Sequence, residues 1–367
     1  MTKPFLIFAA IAALLTSTLS PSSADVNQLE IETLQLESTA VEGGRGAALS
    51  LLSDGSILLA GGLKGDTLFR LKDGDLSELG KLLKQKNRYR DSRFGPTDIA
   101  VLAEKAGIAS ILISYPELNP KKKCVQLVLF NYSLNLAKPE LTKGKLWFRG
   151  KPCVPVSAVQ HAAGRIAVIN STSVYLTTGD LGYRRIGEVN ARQWLGGVFK
   201  VSEKKITQIS RGHRNPQGIL LIDKDLYISE HGPRGGDELN LIKKNKDYGW
   251  PFVTYGQAYS SGDYVRPTKP GTHDGYEEPL YYWVPSVAPT ELVRLPENSQ
   301  WRELEKYLVM GTLADQSLIF IELISANRVG KVIKYKVGER IRDLDVLSDG
   351  RLVASTDSGA LLFISRR

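Results

Sequence analysis

The sequence predicts an all-β fold, a six-bladed β-propeller, on three observations. The chain is a series of short apolar runs broken by Gly, Asp, Asn and Pro, the punctuation of strands and turns. The segment LLSDGSILLAGGLKGDTLFRL from Leu51 is matched near the C-terminus by VLSDGRLVASTDSGALLFI from Val346, and looser copies begin at Gly164 and Gly218. Strand-turn-strand units that recur along a chain are the mark of propeller blades. Finally, about 343 residues follow the N-terminal segment, and six blades of about 57 residues, long for a blade, leave room for extended loops. A pair of β-sandwiches is the alternative, but it leaves the likeness of first and last units unexplained.

In chain order, residues 1–24 read as a secretory signal. Lys3 gives the positive start, an apolar stretch of 11 residues runs from Phe5 to Leu15, and Ser22-Ser23-Ala24 offers a cleavage site. That stretch falls short of the roughly 20 residues a bilayer needs, although a retained anchor is the competing reading. The mature chain then starts near Asp25, periplasmic or secreted, with no later transmembrane segment. Residues 31–38 alternate in polarity and can supply the strand that closes the ring. Blade starts are expected near Gly43, Phe94, Val159, Gly212, Val287 and Glu339. One long excursion, residues 257–278, is rich in Gly, Tyr, Pro and Asp. No linker divides residues 25–367, so a single domain is expected.

The net charge of +9 falls to +8 without the signal. The Lys and Arg are scattered, and with export this argues against nucleic acid and for an anionic ligand or membrane surface. Cys124 and Cys153 suit one disulfide in an oxidising compartment, with two buried thiols as the alternative. No HxH, HExxH or CxxC pattern indicates zinc.

The chemistry concentrates in two turn-dense runs, residues 212–218 and 231–238, on either side of one short strand. Loops of this kind, held by a rigid scaffold, are where binding and catalysis gather. Ahead of them, His161 begins a blade at QHAAGR and Asp180 follows the next strand at TTGD, so the two can meet at one rim. A carboxylate that fixes a His tautomer makes it a general base near neutral pH. Arg340 and Arg342 alternate in ERIRD and share a face of a strand; with Arg214 they make a positive rim. As isolated residues, each of these Arg would more simply be a surface residue paired with an acid such as Asp343.

GHRNPQG, HGPRGGDE, QHAAGR and ERIRD together resemble the soluble glucose/sorbosone (aldose sugar) dehydrogenases that use pyrroloquinoline quinone. The likeness covers nearly all of the mature chain. It implies an exported quinoprotein oxidoreductase that converts the anomeric carbon of an aldose sugar to a lactone and passes electrons to an external acceptor. It also implies a cofactor with three carboxylates held on the top face by calcium. In that family's pattern His161 is the base, oriented by Asp180, while Arg214 and Asn215 polarise the quinone oxygens with Gln217 nearby. Arg340 and Arg342 take cofactor carboxylates. The carbonyls of Gly232 and Pro233 ligate calcium, for which hard oxygen ligands are suited. Glu238 and Tyr248 fall where a second, structural calcium can sit, and Arg93, Asp237 and Ser286 fall near the substrate. His231, where glucose-specific members tend to have Gln, points to the broader aldose branch.

Three positions depart from the pattern, the last of them mildly. Ala314 stands where a cofactor-binding Lys is expected, at a cost of about 1.5–3 kcal/mol for one charge-assisted hydrogen bond. Arg93 replaces a Gln near substrate and base, and Ser286 replaces a Thr. Two rivals follow. A non-catalytic propeller that binds a sugar or acidic partner gains from Ala314 and Arg93. A metal-dependent sugar lactonase would require several Asp, Glu and Asn side chains converging on an ion at the axis, and no such set is evident in the sequence.

Overall fold

The computed structural model describes residues 29–89, 91, 94–138, 140–156, 160–262 and 264–367. The signal expected over residues 1–24, and Arg93, lie outside the described residues. Six antiparallel sheets form the blades of a propeller. Their innermost strands are Ala48–Leu51, Asp98–Lys105, Ala163–Asn170, Pro216–Ile222, Pro289–Arg294 and Ile341–Val346. Each begins two to five residues after the start expected from sequence, because turn residues mark the end of the incoming loop rather than the strand itself. The ring closes where Leu29–Gln35 pairs antiparallel with Ala360–Arg366, Leu29 opposite Arg366 and Gln35 opposite Ala360. The sixth blade thus draws its strands from both ends of the described residues, which closes the ring.

Alternation sends one face of each strand against the next blade. Leu58, Ala60 and Leu68 of blade one pack on Ile111, Ile113 and Val128 of blade two. Val309, Leu318 and Phe320 of blade five meet Leu344, Leu352 and Leu362 of blade six. Each such side chain contributes about 1.5–3 kcal/mol on burial. Cys124 and Cys153 are bonded, with Cα atoms 5.4 Å apart, and tie the third strand of blade two to the loop that leaves it. Among the described residues no helix is long and apolar enough to cross a membrane.

At the axis the inner strands meet polar groups instead of apolar ones. Arg165, 2% exposed, donates through Nε to Glu291 Oε2 at 2.6 Å and through Nη1 to the Thr97 carbonyl at 2.9 Å. Its Nη2 binds Glu291 and Asp343, and Asp98 lies 3.8 Å away. The same carboxylates accept backbone N–H groups from neighbouring blades: Asp343 from Leu49, Asp98 from Ile166, Glu291 from Ile219. Every blade is joined through this hub. Burial opposes charge on Arg165, but Asp343, Asp98 and Glu291 hold its proton more firmly than usual.

Candidate active site

Directly above the hub, Thr97 lines a cavity of about 350 Å³. Its walls include Arg45, His161, Asn215, Gln217, His231, Leu313, Arg340 and Arg342, with Tyr259 and Tyr264 from the long excursion. A larger cavity of about 940 Å³, lined by Lys145, Trp147, Ser171, Thr172 and Lys200, holds none of the residues singled out from sequence. Ser171 and Thr172 follow the end of the strand Ala163–Asn170 that His161 precedes, so this second cavity lies at the opposite end of the blades.

His161 sits just before its inner strand at φ +54°, a left-handed conformation rare outside glycine that costs about 1–3 kcal/mol at a non-glycine residue. Gly179 lets the outgoing chain pass close beside it: a Cβ there would lie 1.8 Å from the His161 carbonyl oxygen. The following residue, Asp180, is 0% exposed and places Oδ1 2.8 Å from His161 Nδ1. The Gly182 N–H donates to Asp180 Oδ1 at 2.7 Å and Trp250 Nε1 donates to Oδ2 at 2.9 Å. Burial opposes ionisation of Asp180, but His161, Arg214 and these donors hold it below the usual carboxylate range. An ionised Asp180 fixes the His161 proton on Nδ1 and leaves Nε2 as the acceptor.

Arg214 caps that acceptor. Its Nη2 lies 3.1 Å from His161 Nε2, and its Nη1 donates to the Gly232 carbonyl at 2.6 Å. The guanidinium lies 5.3 Å from the centre of the Trp250 ring, and its buried Nε has no partner. An orphaned donor in a buried guanidinium costs about 1–3 kcal/mol; Arg214 lines a small neighbouring pocket with Gly232, Glu238, Tyr248 and Trp250 and not the 350 Å³ cavity itself. Asn215 Oδ1 accepts from Gln217 Nε2 at 2.8 Å. His231 donates from Nε2 to the Pro289 carbonyl at 2.7 Å, and burial pushes its pKa down to about 4, so it stays neutral.

On the blade-six side, Arg342 grips Asp357 with two hydrogen bonds, Nε to Oδ1 at 2.8 Å and Nη2 to Oδ2 at 2.9 Å. Arg340 donates through Nε to the same Oδ2 at 2.9 Å and through Nη1 to the Leu313 carbonyl at 3.2 Å, while its side chain remains 47% exposed. Burial favours neutral Asp357, but Arg342 and these bonds hold its pKa below the ordinary value.

The remaining sequence candidates lie apart from the cavity. Asp237 is 0% exposed, and its oxygens accept from Gly232 N, Ser286 Oγ, Val287 N and Ala288 N, so it clamps two loops and has no face toward a substrate. Ser286 is its partner in that clamp. The Pro233 carbonyl accepts from Tyr259 Oη at 2.9 Å. Glu238 accepts from His273 at 2.8 Å and from Asn240 Nδ2 at 3.1 Å. Tyr248 stacks on His213, ring centres 4.6 Å apart, and donates to the Leu241 carbonyl.

Reading the sequence missed Arg45, Trp250 and Asp357. It also missed the converging acids: Asp98, Glu291 and Asp343 bring ligand oxygens within 4.8 Å of one another at the axis. The expectation that no acidic set gathers there is therefore corrected, and Arg165 already supplies the cation at its centre.

The sequence profile of the family described as glucose/sorbosone dehydrogenase matches residues 46–363. The aldose sugar dehydrogenase YliI of Escherichia coli strain K12 is 29% identical over 297 residues, 74% of this chain and 77% of that protein. Alignments to two further relatives span 37% and 35% of those proteins' lengths. The apo crystal structure of the soluble aldose sugar dehydrogenase from Escherichia coli superposes with a TM-score of 0.77 at 24% identity, over 92% of this chain and all of that one. The PQQ-bound aldose sugar dehydrogenase of Streptomyces coelicolor gives 0.68 at 19% identity, over 92% and 99%.

Proposed function

The chain belongs to the glucose/sorbosone dehydrogenase family, and we propose that it oxidises the anomeric carbon of an aldose sugar to a lactone, with pyrroloquinoline quinone in the 350 Å³ cavity. The observation that carries this reading is a carboxylate-buttressed histidine sharing one cavity with guanidinium groups that outnumber their acids. A polycarboxylate meets such groups through paired, charge-assisted hydrogen bonds. Arg340 and Arg342, with Asn215 and Gln217, are the residues to hold the cofactor, and Arg214, held beside His161, is the one to polarise a quinone oxygen in this reading. Bound pyrroloquinoline quinone supplies a two-electron acceptor for hydride.

The protein's own part is proton handling and alignment. Asp180 stabilises the charge His161 gains when Nε2 takes the proton of the anomeric hydroxyl. For that, Arg214 Nη2 has to leave Nε2, since one lone pair cannot serve both. Calcium fits less completely than the quinone. Gly232 already accepts from Arg214 and Pro233 from Tyr259, so an ion at these carbonyls shares them with donors in place. Glu238 and Tyr248 are the residues for a second calcium in this reading. Export to the periplasm or beyond, and an external electron acceptor, complete it.

Reconstitution tests it: purified apoprotein with calcium and pyrroloquinoline quinone, dye reduction across a panel of aldoses, and His161→Ala alongside. Sugar-dependent reduction that needs the quinone and vanishes in the variant is the expected result. Absence of quinone binding would instead make Ala314 decisive and favour the non-catalytic propeller.

A further inference from the structure

We propose that the cavity of about 940 Å³ between blades two and three, at the end of the blades away from the candidate active site, binds an acidic saccharide, a short chain of sugar rings bearing carboxylates. The proposal stands apart from the redox reading. The cavity originates in strand length. The inner strands of the two blades are level where Asp98 accepts the Ile166 N–H at 2.6 Å. From there blade two runs seven residues further, to Lys105, and blade three only four, to Asn170. The difference in extended chain is about 10 Å, so blade two overhangs its neighbour and the packing between them opens. The volume lies within the range of small-molecule sites, about 300–1,000 Å³.

The lining divides by chemistry. Leu102 and Trp147, each 8% exposed, belong to the apolar cluster that the two blades share. The Trp147 indole N–H has no partner among the described residues, yet it is not sealed from solvent; a buried indole usually finds an acceptor. Asn131 donates through Nδ2 to Ser110 Oγ at 2.7 Å, which leaves Asn131 Oδ1 and the Ser110 hydroxyl proton unspent. Gly144 keeps the approach to them clear, since a Cβ there would lie 3.1 Å from Asn131 Oδ1. Hydroxyl, amide and indole groups beside apolar surface suit a sugar ring, which has a polar edge and apolar faces. The sign of the ligand follows from the lysines. Lys145, Lys200, Lys204 and Lys205 line the cavity against one acid, Glu203. Lys145 holds Glu203 at 2.6 Å, joining the two blades, and no carboxylate among the described residues pairs with the other three lysines. The lining holds no arginine and a single glycine. Arginine forks and runs of backbone N–H groups are the usual grips on phosphate, so carboxylates carried on sugar rings fit this lining better than a phosphate chain.

The test is calorimetric titration of the purified protein at low ionic strength with trigalacturonate, beside maltotriose as a neutral saccharide and tetrathymidylate as a phosphate chain of like charge. Trigalacturonate is expected to bind, and each of the other two about tenfold more weakly or less. Lys204→Glu combined with Lys205→Glu, at exposed positions, should weaken trigalacturonate binding about tenfold or more. Asn131→Ala should weaken it about 3- to 10-fold, with thermal unfolding showing a folded protein; should that variant not fold, the lysine pair carries the test. Arg340→Gln, in the other cavity, should leave binding within about twofold. Binding lost with Arg340→Gln but kept in the lysine variant would place the saccharide in the upper cavity and overturn the proposal. Tighter binding of tetrathymidylate, or no binding of trigalacturonate at millimolar concentration, would overturn it as well. None of these outcomes touches the proposed function.

Discussion

Two groups of arginines sit one above the other in this molecule, with Thr97 between them. Below, Arg165 alone faces Asp98, Glu291 and Asp343. Above, Arg340 and Arg342 hold Asp357, and Arg45 lines the same cavity. Thr97 belongs to both levels, giving its carbonyl to Arg165 while lining the cavity. The lower group is rich in acid and closed, and its spare carboxylate oxygens are spent on backbone N–H groups of adjacent blades. The upper group is rich in base and open. Charge that assembles the fold is balanced from within the chain, whereas in the proposed function the upper charge meets that of a ligand.

The largest expected effect lies below. Arg165→Met leaves three buried carboxylates without their cation, a loss of about 3–5 kcal/mol and roughly 4–7 °C in melting temperature for a chain of this length. A variant that melts within about 2 °C of the parent would break the contrast, because the hub would then not depend on its cation. Above, Asp180→Asn sets an N–H against one of the three donors that the carboxylate accepts from, a cost of about 1–3 kcal/mol, and should lower kcat on the order of 10²–10⁴-fold in the reconstituted dehydrogenase assay. Arg340→Gln, at a half-exposed side chain, should weaken quinone binding about tenfold with no cost in stability; an equal loss in melting temperature would make it part of the fold after all.

The smallest effect is one of pH. Burial, with Asp343 and Glu291 adding to it, pushes Asp345 up to about 7. Its unfolded value is about 3.9, so between these values the folded chain binds the extra proton. This group therefore stabilises the fold at low pH and loses that contribution as pH rises from about 4 to about 7. Thermal melts of Asp345→Asn across that range should show a flatter profile than the parent.

Blade positions were legible because Ser-Asp-Gly turns and alternating strands are local signals. The nearness of His161 and Asp180 was legible too, since their places in adjoining strands of one blade put both at the same rim. Arg45 gave no such signal: a lone Arg in a glycine-rich loop has no periodicity, and its neighbours across the ring are about 300 residues away. Asp357 had one that went unused. It follows the strand Leu352–Thr356 as Asp180 follows Ser173–Thr178, both acids coming just after a blade's second strand. The hub was also written in the repeat. Asp98, Arg165, Glu291 and Asp343 each stand directly before an apolar residue of an inner strand, and only closure of the ring brings them together. Asp237 misled because a carboxylate in a glycine-rich loop reads alike whether it faces solvent or clamps that loop.

The hub has a consequence for traffic. A propeller is a ring, and a ring has a bore; here Arg165 and its acids stopper it just under the cavity floor. The cavity is therefore closed toward the bore, and nothing reaches its floor through the ring; Tyr259 and Tyr264 of the long excursion stand in its wall.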